Sequence, residues 1–179
     1  WYDTEDKLAA GPDGYARVEN EYLGASVTKT AYLDKDGKPY YNAKAGYATL
    51  IREFEKSVER SLNYYGTKGE RIPGPDGYSY AVFSYRKGIK RSMWYNVDGT
   101  LWYNNKGICG NEIAKNYRGQ VVEEYYFTGE NQRGKSTDGY SGVNRKFSKY
   151  RQLAMEKYLD ENNKQMVVEK LGYARVLTS

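Results

Sequence analysis

Apolar and polar residues alternate along much of this chain, and glycine interrupts the alternation at short intervals. Ala81, Phe83 and Tyr85 alternate before Gly88, and Ile89, Arg91, Met93 and Tyr95 continue the two-residue rhythm after it. A period of two is the mark of a strand with one covered face, and a glycine between two such runs predicts a hairpin turn. One stretch reads differently by itself. Leu50, Ile51, Phe54, Val58, Leu62 and Tyr65 sit at helical spacing, so Ala48 to Tyr65 on its own fits an amphipathic helix.

Internal repetition resolves that ambiguity. A Gly-aromatic pair recurs at Gly14-Tyr15, Gly46-Tyr47, Gly77-Tyr78, Gly139-Tyr140 and Gly172-Tyr173, and Gly107-Ile108 fills the missing place. The glycines are spaced by 32, 31, 30, 32 and 33 residues. A second landmark precedes each glycine: Trp1-Tyr2-Asp3, Tyr32-Leu33-Asp34, Tyr64-Tyr65-Gly66, Trp94-Tyr95-Asn96, Tyr126-Phe127-Thr128 and Tyr158-Leu159-Asp160. Its third position recurs at intervals of 31, 32, 30, 32 and 32. Turn pairs follow, as in Asp36-Gly37, Lys68-Gly69 and Asp98-Gly99.

In the other copies the stretch equivalent to Ala48–Tyr65 carries Gly24, Gly88 or Gly119 near its middle, which disfavours a helix and suits a hairpin. The fifth copy has no such glycine, and Arg145 to Leu159 leaves a local helix open. The predicted unit is an aromatic strand, a turn, a short strand such as Lys38 to Asn42, a glycine corner and a longer hairpin. The fold class expected is all-β: tandem β-hairpin repeats forming a β-solenoid or an elongated meander sheet. The chain reads as one array over 1–179, with units near 1–31, 32–63, 64–93, 94–125, 126–157 and 158–179. Neighbouring units share a core that none can close alone. Because the chain starts at Trp1 and shows no polar cap, it reads as a window on a longer repeat region or a larger protein.

Composition sharpens this picture. Only 39% of residues are hydrophobic, yet there are 21 Tyr against 4 Phe. Tyrosine joins an apolar ring to a polar tip and suits half-buried positions. Histidine is absent, so neither a Ser-His-Asp nor a Cys-His set can form. The acids lie in turns or scattered on strands, and no enzymatic activity is expected. Asp34-Lys35-Asp36-Gly37 and Asn96-Val97-Asp98-Gly99 space oxygen atoms as a calcium loop does, but turns explain them better and no metal or other cofactor is expected. The single cysteine, Cys109, reads as a small buried residue. Gly11-Pro12-Asp13-Gly14 and Gly74-Pro75-Asp76-Gly77 read as turns rather than phosphate cradles.

The candidate binding groups are adjacent aromatics: Tyr40-Tyr41, Tyr64-Tyr65, Trp94-Tyr95, Trp102-Tyr103 and Tyr125-Tyr126. Neighbours on a strand point to opposite faces, so one ring of each pair can build the core while the other stands outside as a platform for a ligand or a partner repeat. A net charge of +5, interleaved rather than blocked, favours anionic polymers.

The stretch Trp94 to Gly107, Trp-Tyr-Asn-Val-Asp-Gly-Thr-Leu-Trp-Tyr-Asn-Asn-Lys-Gly, resembles the choline- and glucan-binding cell-wall repeats of Gram-positive bacteria. The Tyr32 to Pro39 stretch is similar to tyrosine-aspartate-glycine repeats of bacterial surface proteins. The resemblance implies a solenoid of hairpins, an extracellular or cell-surface location, and a non-catalytic module that binds a glycan or an anionic cell-wall polymer. The alternative is a scaffold, or an accessory extension of a larger enzyme, with another protein chain as partner. No nucleic-acid partner and no membrane span are expected.

Overall fold

The computed structural model describes every residue except Asp3, Asp6 and Ser179; the third residue of the first landmark, Asp3, therefore lies outside the described residues. The described residues form twelve strands and no helix: β1 Arg17–Leu23, β2 Ser26–Leu33, β3 Thr49–Glu55, β4 Val58–Tyr65, β5 Tyr80–Arg86, β6 Ile89–Tyr95, β7 Gly110–Lys115, β8 Val121–Gly129, β9 Gln132–Arg133, β10 Gly142–Phe147, β11 Leu153–Leu159 and β12 Arg175–Leu177. They are antiparallel and follow in chain order, with β9 set aside as a short partner of β8. Among the described residues, β1 pairs with β2, and β12 with β11. The all-β expectation holds, and the connectivity is that of a meander.

The chain forms two compact units, Trp1–Val82 with Tyr95–Thr100, and Phe83–Trp94 with Leu101–Ser179. In the first unit, β3 and β4 close the stretch whose spacing fitted a helix. Its tip is Lys56-Ser57, both at positive φ (48° and 65°), the twist a two-residue hairpin turn needs. In the second unit, Arg145 to Leu159 is also a hairpin, β10 with β11, so the helix left open there does not form. The tip residue Arg151 supplies the positive φ (68°) that glycine provides elsewhere. The short strand expected at Lys38 to Asn42 is absent. Only isolated bridges form there, Leu33 with Pro39 and Asn42 with Tyr47, because turns on both sides leave too few residues for a ladder.

The repeat is visible as one hydrogen-bond pattern. The first amide of each landmark donates to the residue after the Gly-aromatic pair: Tyr32 to Ala48 (2.9 Å), Tyr64 to Ser79 (3.0 Å), Trp94 to Cys109 (2.9 Å), Tyr126 to Ser141 (2.8 Å) and Tyr158 to Ala174 (3.0 Å). In the first copy the terminal ammonium of Trp1 makes the same bond to Ala16 at 2.7 Å. The receiving residue is always small (Ala16, Ala48, Ser79, Cys109, Ser141, Ala174), and the first five are buried. Each of those five amides donates onward to the next landmark, as Ala48 does to Tyr65 (3.0 Å) and Cys109 to Phe127 (2.8 Å). All six corner glycines have φ between 70° and 97°, where a side chain is strained.

Candidate functional site

Where the chain leaves each landmark it turns and folds back, and the returning residues alternate inward and outward. The inward residue donates its amide to the landmark: Tyr40 to Tyr32 (2.8 Å), Ile72 to Tyr64 (3.1 Å), Trp102 to Trp94 (2.9 Å), Gly134 to Tyr126 (3.2 Å) and Met166 to Tyr158 (3.1 Å). The next residue stands outside: Tyr41, Pro73, Tyr103, Lys135 and Val167 are all exposed. Tyr41 is 45% and Tyr103 47% exposed. The first turn uses carboxylate or amide oxygens as local acceptors. Asp34 accepts the amides of Asp36 (2.9 Å) and Lys38 (2.8 Å), and Asp160 those of Asn162 (2.9 Å) and Lys164 (2.8 Å). Those oxygens close turns, and no group of three or more metal-ligating side chains occurs among the described residues.

The ten candidate rings divide by environment. Tyr64 and Tyr125 are buried. Tyr40, Tyr65, Trp94, Tyr95, Trp102 and Tyr126 are half-buried, leaving Tyr41 and Tyr103 as the exposed pair. Trp94 and Trp102 meet edge to face with centroids 6.2 Å apart. Tyr95 stacks on Tyr80 at 4.8 Å, and Tyr125 carries the Arg133 guanidinium 4.1 Å above its ring. The Tyr103 hydroxyl donates to the Thr128 carbonyl at 3.2 Å.

Tyr64 and Tyr126 belong to ladders that the sequence reading did not assemble. In the first unit, rings run Tyr15, Tyr32, Tyr47, Tyr64, Tyr78, with successive centroids 5.0, 5.6, 5.5 and 5.9 Å apart. In the second they run Tyr126, Tyr140, Tyr158, Tyr173, at 5.8, 4.8 and 6.0 Å. Each ladder alternates a landmark ring with a corner ring. Burial pushes the Tyr47 phenol up to about 12, helped by the neighbouring Tyr32. Burial is also the largest cause raising Tyr64, Tyr78, Tyr126 and Tyr158. The ladder rings are structural, and burial keeps the phenols of Tyr47, Tyr64, Tyr78, Tyr126, Tyr140 and Tyr158 neutral further into alkaline solution than a free tyrosine.

On the sheet face opposite the second unit's ladder lies a charged groove that no repeat landmark announces. Arg91 on β6, Glu112 on β7 and Tyr125 on β8 are directly paired across the strands and share that face. Arg133 folds back from β9, donates to Glu112 at 2.6 Å and to Asn163 at 3.1 Å. The groove, about 410 Å³, is lined by these charged groups with Ser84, Arg86, Lys87 and Ile89. On the ladder face, Arg145 is clamped between Glu156 (2.7 Å) and Glu124 (3.5 Å).

No helix of the described residues is long and apolar enough to cross a membrane. No protein-family model matches the chain, and no curated protein matches it.

Proposed function

We propose that this chain is a non-catalytic repeat module of a bacterial surface or secreted protein, and that it binds a glycan or an anionic cell-wall polymer. The observation that carries this reading is the alternation after each landmark. One residue packs inward on the landmark, and its neighbour is exposed. In two copies that exposed neighbour is a tyrosine, Tyr41 or Tyr103. A flat ring whose packing role is filled by the adjacent residue is available for a sugar face or a cation. The candidate pairs Tyr40-Tyr41 and Trp102-Tyr103 fit this division, whereas Tyr64, Tyr125 and Tyr126 are committed to packing.

A glycan and teichoic-acid array tests the reading, using the chain beside Tyr41→Ala and Tyr103→Ala. Loss of about tenfold in affinity, ~1.4 kcal/mol, with unchanged thermal stability supports it. Retention of every bound ligand by the double variant, or no binding by the parent chain, overturns it.

A second reading, a scaffold that pairs with another protein chain, is favoured by β1. All seven of its residues are exposed, including Tyr22 at 62% and Leu23 at 55%. An edge strand with open amides and carbonyls can accept a further strand. Concentration-dependent assembly that a proline at Asn20 abolishes would favour this reading over the first.

A further inference from the structure

The cationic groove of the second unit is independent of the outward tyrosines. Arg91 is half-buried, and its hydrogen-bond and ring partners are neutral. Its Nη1 donates to the Asn131 side chain at 2.9 Å, its Nη2 lies 3.7 Å from the Met93 sulfur, and its guanidinium rests 4.2 Å over the Phe127 ring. Its Nε is buried with no hydrogen-bond partner. The carboxylate directly across the strand pair, Glu112, is engaged by Arg133 instead. Among the described residues, Arg86 and Lys87 enter no ion pair either. Three cations without a counter-charge therefore converge on a groove whose one carboxylate is already taken. A half-buried guanidinium held only by neutral partners keeps most of its desolvation cost, and an anion offsets that cost.

The groove continues beyond a single subsite. A neighbouring depression of about 540 Å³ shares Arg91, Glu112 and Arg133, and extends to Asn131, Gln132 and Asn162. Its far side carries Glu161, which closes the positive surface there. Planar guanidinium forks match the paired oxygens of phosphate and carboxylate.

We propose that the groove lined by Arg86, Lys87, Arg91 and Arg133 binds an oxyanion group, phosphate or carboxylate, borne on an extended chain. This deepens the binding reading above by giving the anionic half of the ligand its own site. It survives if the tyrosine platforms prove inert.

The test is titration of the full chain with inorganic polyphosphate and, separately, with an oligogalacturonate, followed by calorimetry and by amide chemical shifts. Variants Arg91→Gln, Lys87→Gln and Lys68→Gln are run in parallel, the last removing an exposed cation of the first unit. Arg91→Gln and Lys87→Gln are each expected to weaken binding about tenfold, as befits loss of a charge-assisted contact, with shifts centred on Glu112 and Asn131. Lys68→Gln is expected to bind like the parent. If Arg91→Gln unfolds the second unit, Lys87→Gln at the exposed hairpin tip carries the comparison. Binding of both probes supports a general oxyanion site, and binding of one names phosphate or carboxylate as its ligand. Binding of neither, or equal loss in Lys87→Gln and Lys68→Gln, overturns the proposal. Aromatic variants that lose a neutral glycan while retaining polyphosphate would separate this site from the tyrosine platforms.

Discussion

Ser79 and Ser141 occupy the same place in two copies of the repeat, yet replacing each by alanine is expected to change stability in opposite directions. Both are buried, at 1% and 0% exposure, and both use the backbone identically. Ser79 donates its amide to Tyr95 (2.8 Å) and accepts from Tyr64 (3.0 Å); Ser141 donates to Leu159 (2.9 Å) and accepts from Tyr126 (2.8 Å). The hydroxyls differ. That of Ser79 donates to the Ile72 carbonyl at 2.9 Å, and that of Ser141 has no partner. A satisfied hydrogen bond contributes about 0.5–1.5 kcal/mol net, while an orphaned buried hydroxyl costs about 1–3 kcal/mol. Alanine already fills this slot at Ala16 and Ala48, so the substitution brings no steric change. Ser79→Ala should destabilise the chain by ~1 kcal/mol, and Ser141→Ala should stabilise it by a similar amount. For a chain of this size each kcal/mol moves the melting temperature by about 2–4 °C. Urea titration measures the energies, and amide exchange at Tyr64 and Tyr126 places each effect in its own copy. Destabilisation by Ser141→Ala, or gain of stability from Ser79→Ala, would refute the hydroxyl assignment.

Gly46→Ala should cost about 2–3 kcal/mol and Gly24→Ala about 1 kcal/mol. Both glycines have positive φ (83° and 61°), but a methyl at Gly46 would meet the Pro75 backbone nitrogen at 3.2 Å, whereas one at Gly24 meets nothing; urea midpoints read the difference. Cys109→Ser should be tolerated within ~1 kcal/mol, because serine fills the same slot twice, whereas Cys109→Leu should cost about 1–3 kcal/mol by overpacking. Six of the ladder phenols (Tyr47, Tyr64, Tyr78, Tyr126, Tyr140 and Tyr158) are raised in the folded chain, Tyr47 to about 12, so the folded state holds protons that the unfolded state releases near pH 10. The stability they contribute is therefore complete below about pH 10 and is lost as pH rises toward 12. Circular dichroism through that window should show base unfolding coincident with tyrosinate absorbance, and ladder phenols ionising in a chain that stays folded would contradict it.

The repeat and its turns were legible because they depend on local chemistry. Glycine supplies positive φ at corners and hairpin tips, and these recur in the text of the chain. Tips without glycine were harder, since Lys56-Ser57 and Arg151 adopt the same conformation with no residue that announces it. The small residue after each corner pair was also written in the sequence, as Ala, Ala, Ser, Cys, Ser, Ala, and the aromatic landmarks overshadowed it. It gives Cys109 its reason: the position needs a side chain small enough to let two strands close over it. Alternation along a strand let one ring of each aromatic pair stand outside, but of the ten rings only Tyr41 and Tyr103 are exposed, both in returning segments. In the strand pairs Tyr64-Tyr65, Trp94-Tyr95 and Tyr125-Tyr126 neither ring is exposed: Tyr64 and Tyr126 join the ladders, Tyr95 stacks on Tyr80, and Tyr125 lies under Arg133.

The cationic groove was hidden for a different reason. Arg91, Glu112 and Arg133 come from three segments about twenty residues apart and occupy non-equivalent places in their copies. Periodicity, which exposed the fold, averages such residues away. The edge contact between Trp94 and Trp102 likewise depended on the turn that brings the second ring back over the first, and the sequence motif did not distinguish a ligand cage from packing.

Near-equivalence of the copies is tested most directly by residue-resolved amide hydrogen exchange on the intact chain. The landmark amides of Tyr32, Tyr64, Trp94, Tyr126 and Tyr158, and those of Ala48, Ser79, Cys109 and Ser141, should form one strongly protected set, while the hairpin tips exchange fast. Landmark amides protected in some copies and exchanging like open chain in others would contradict it.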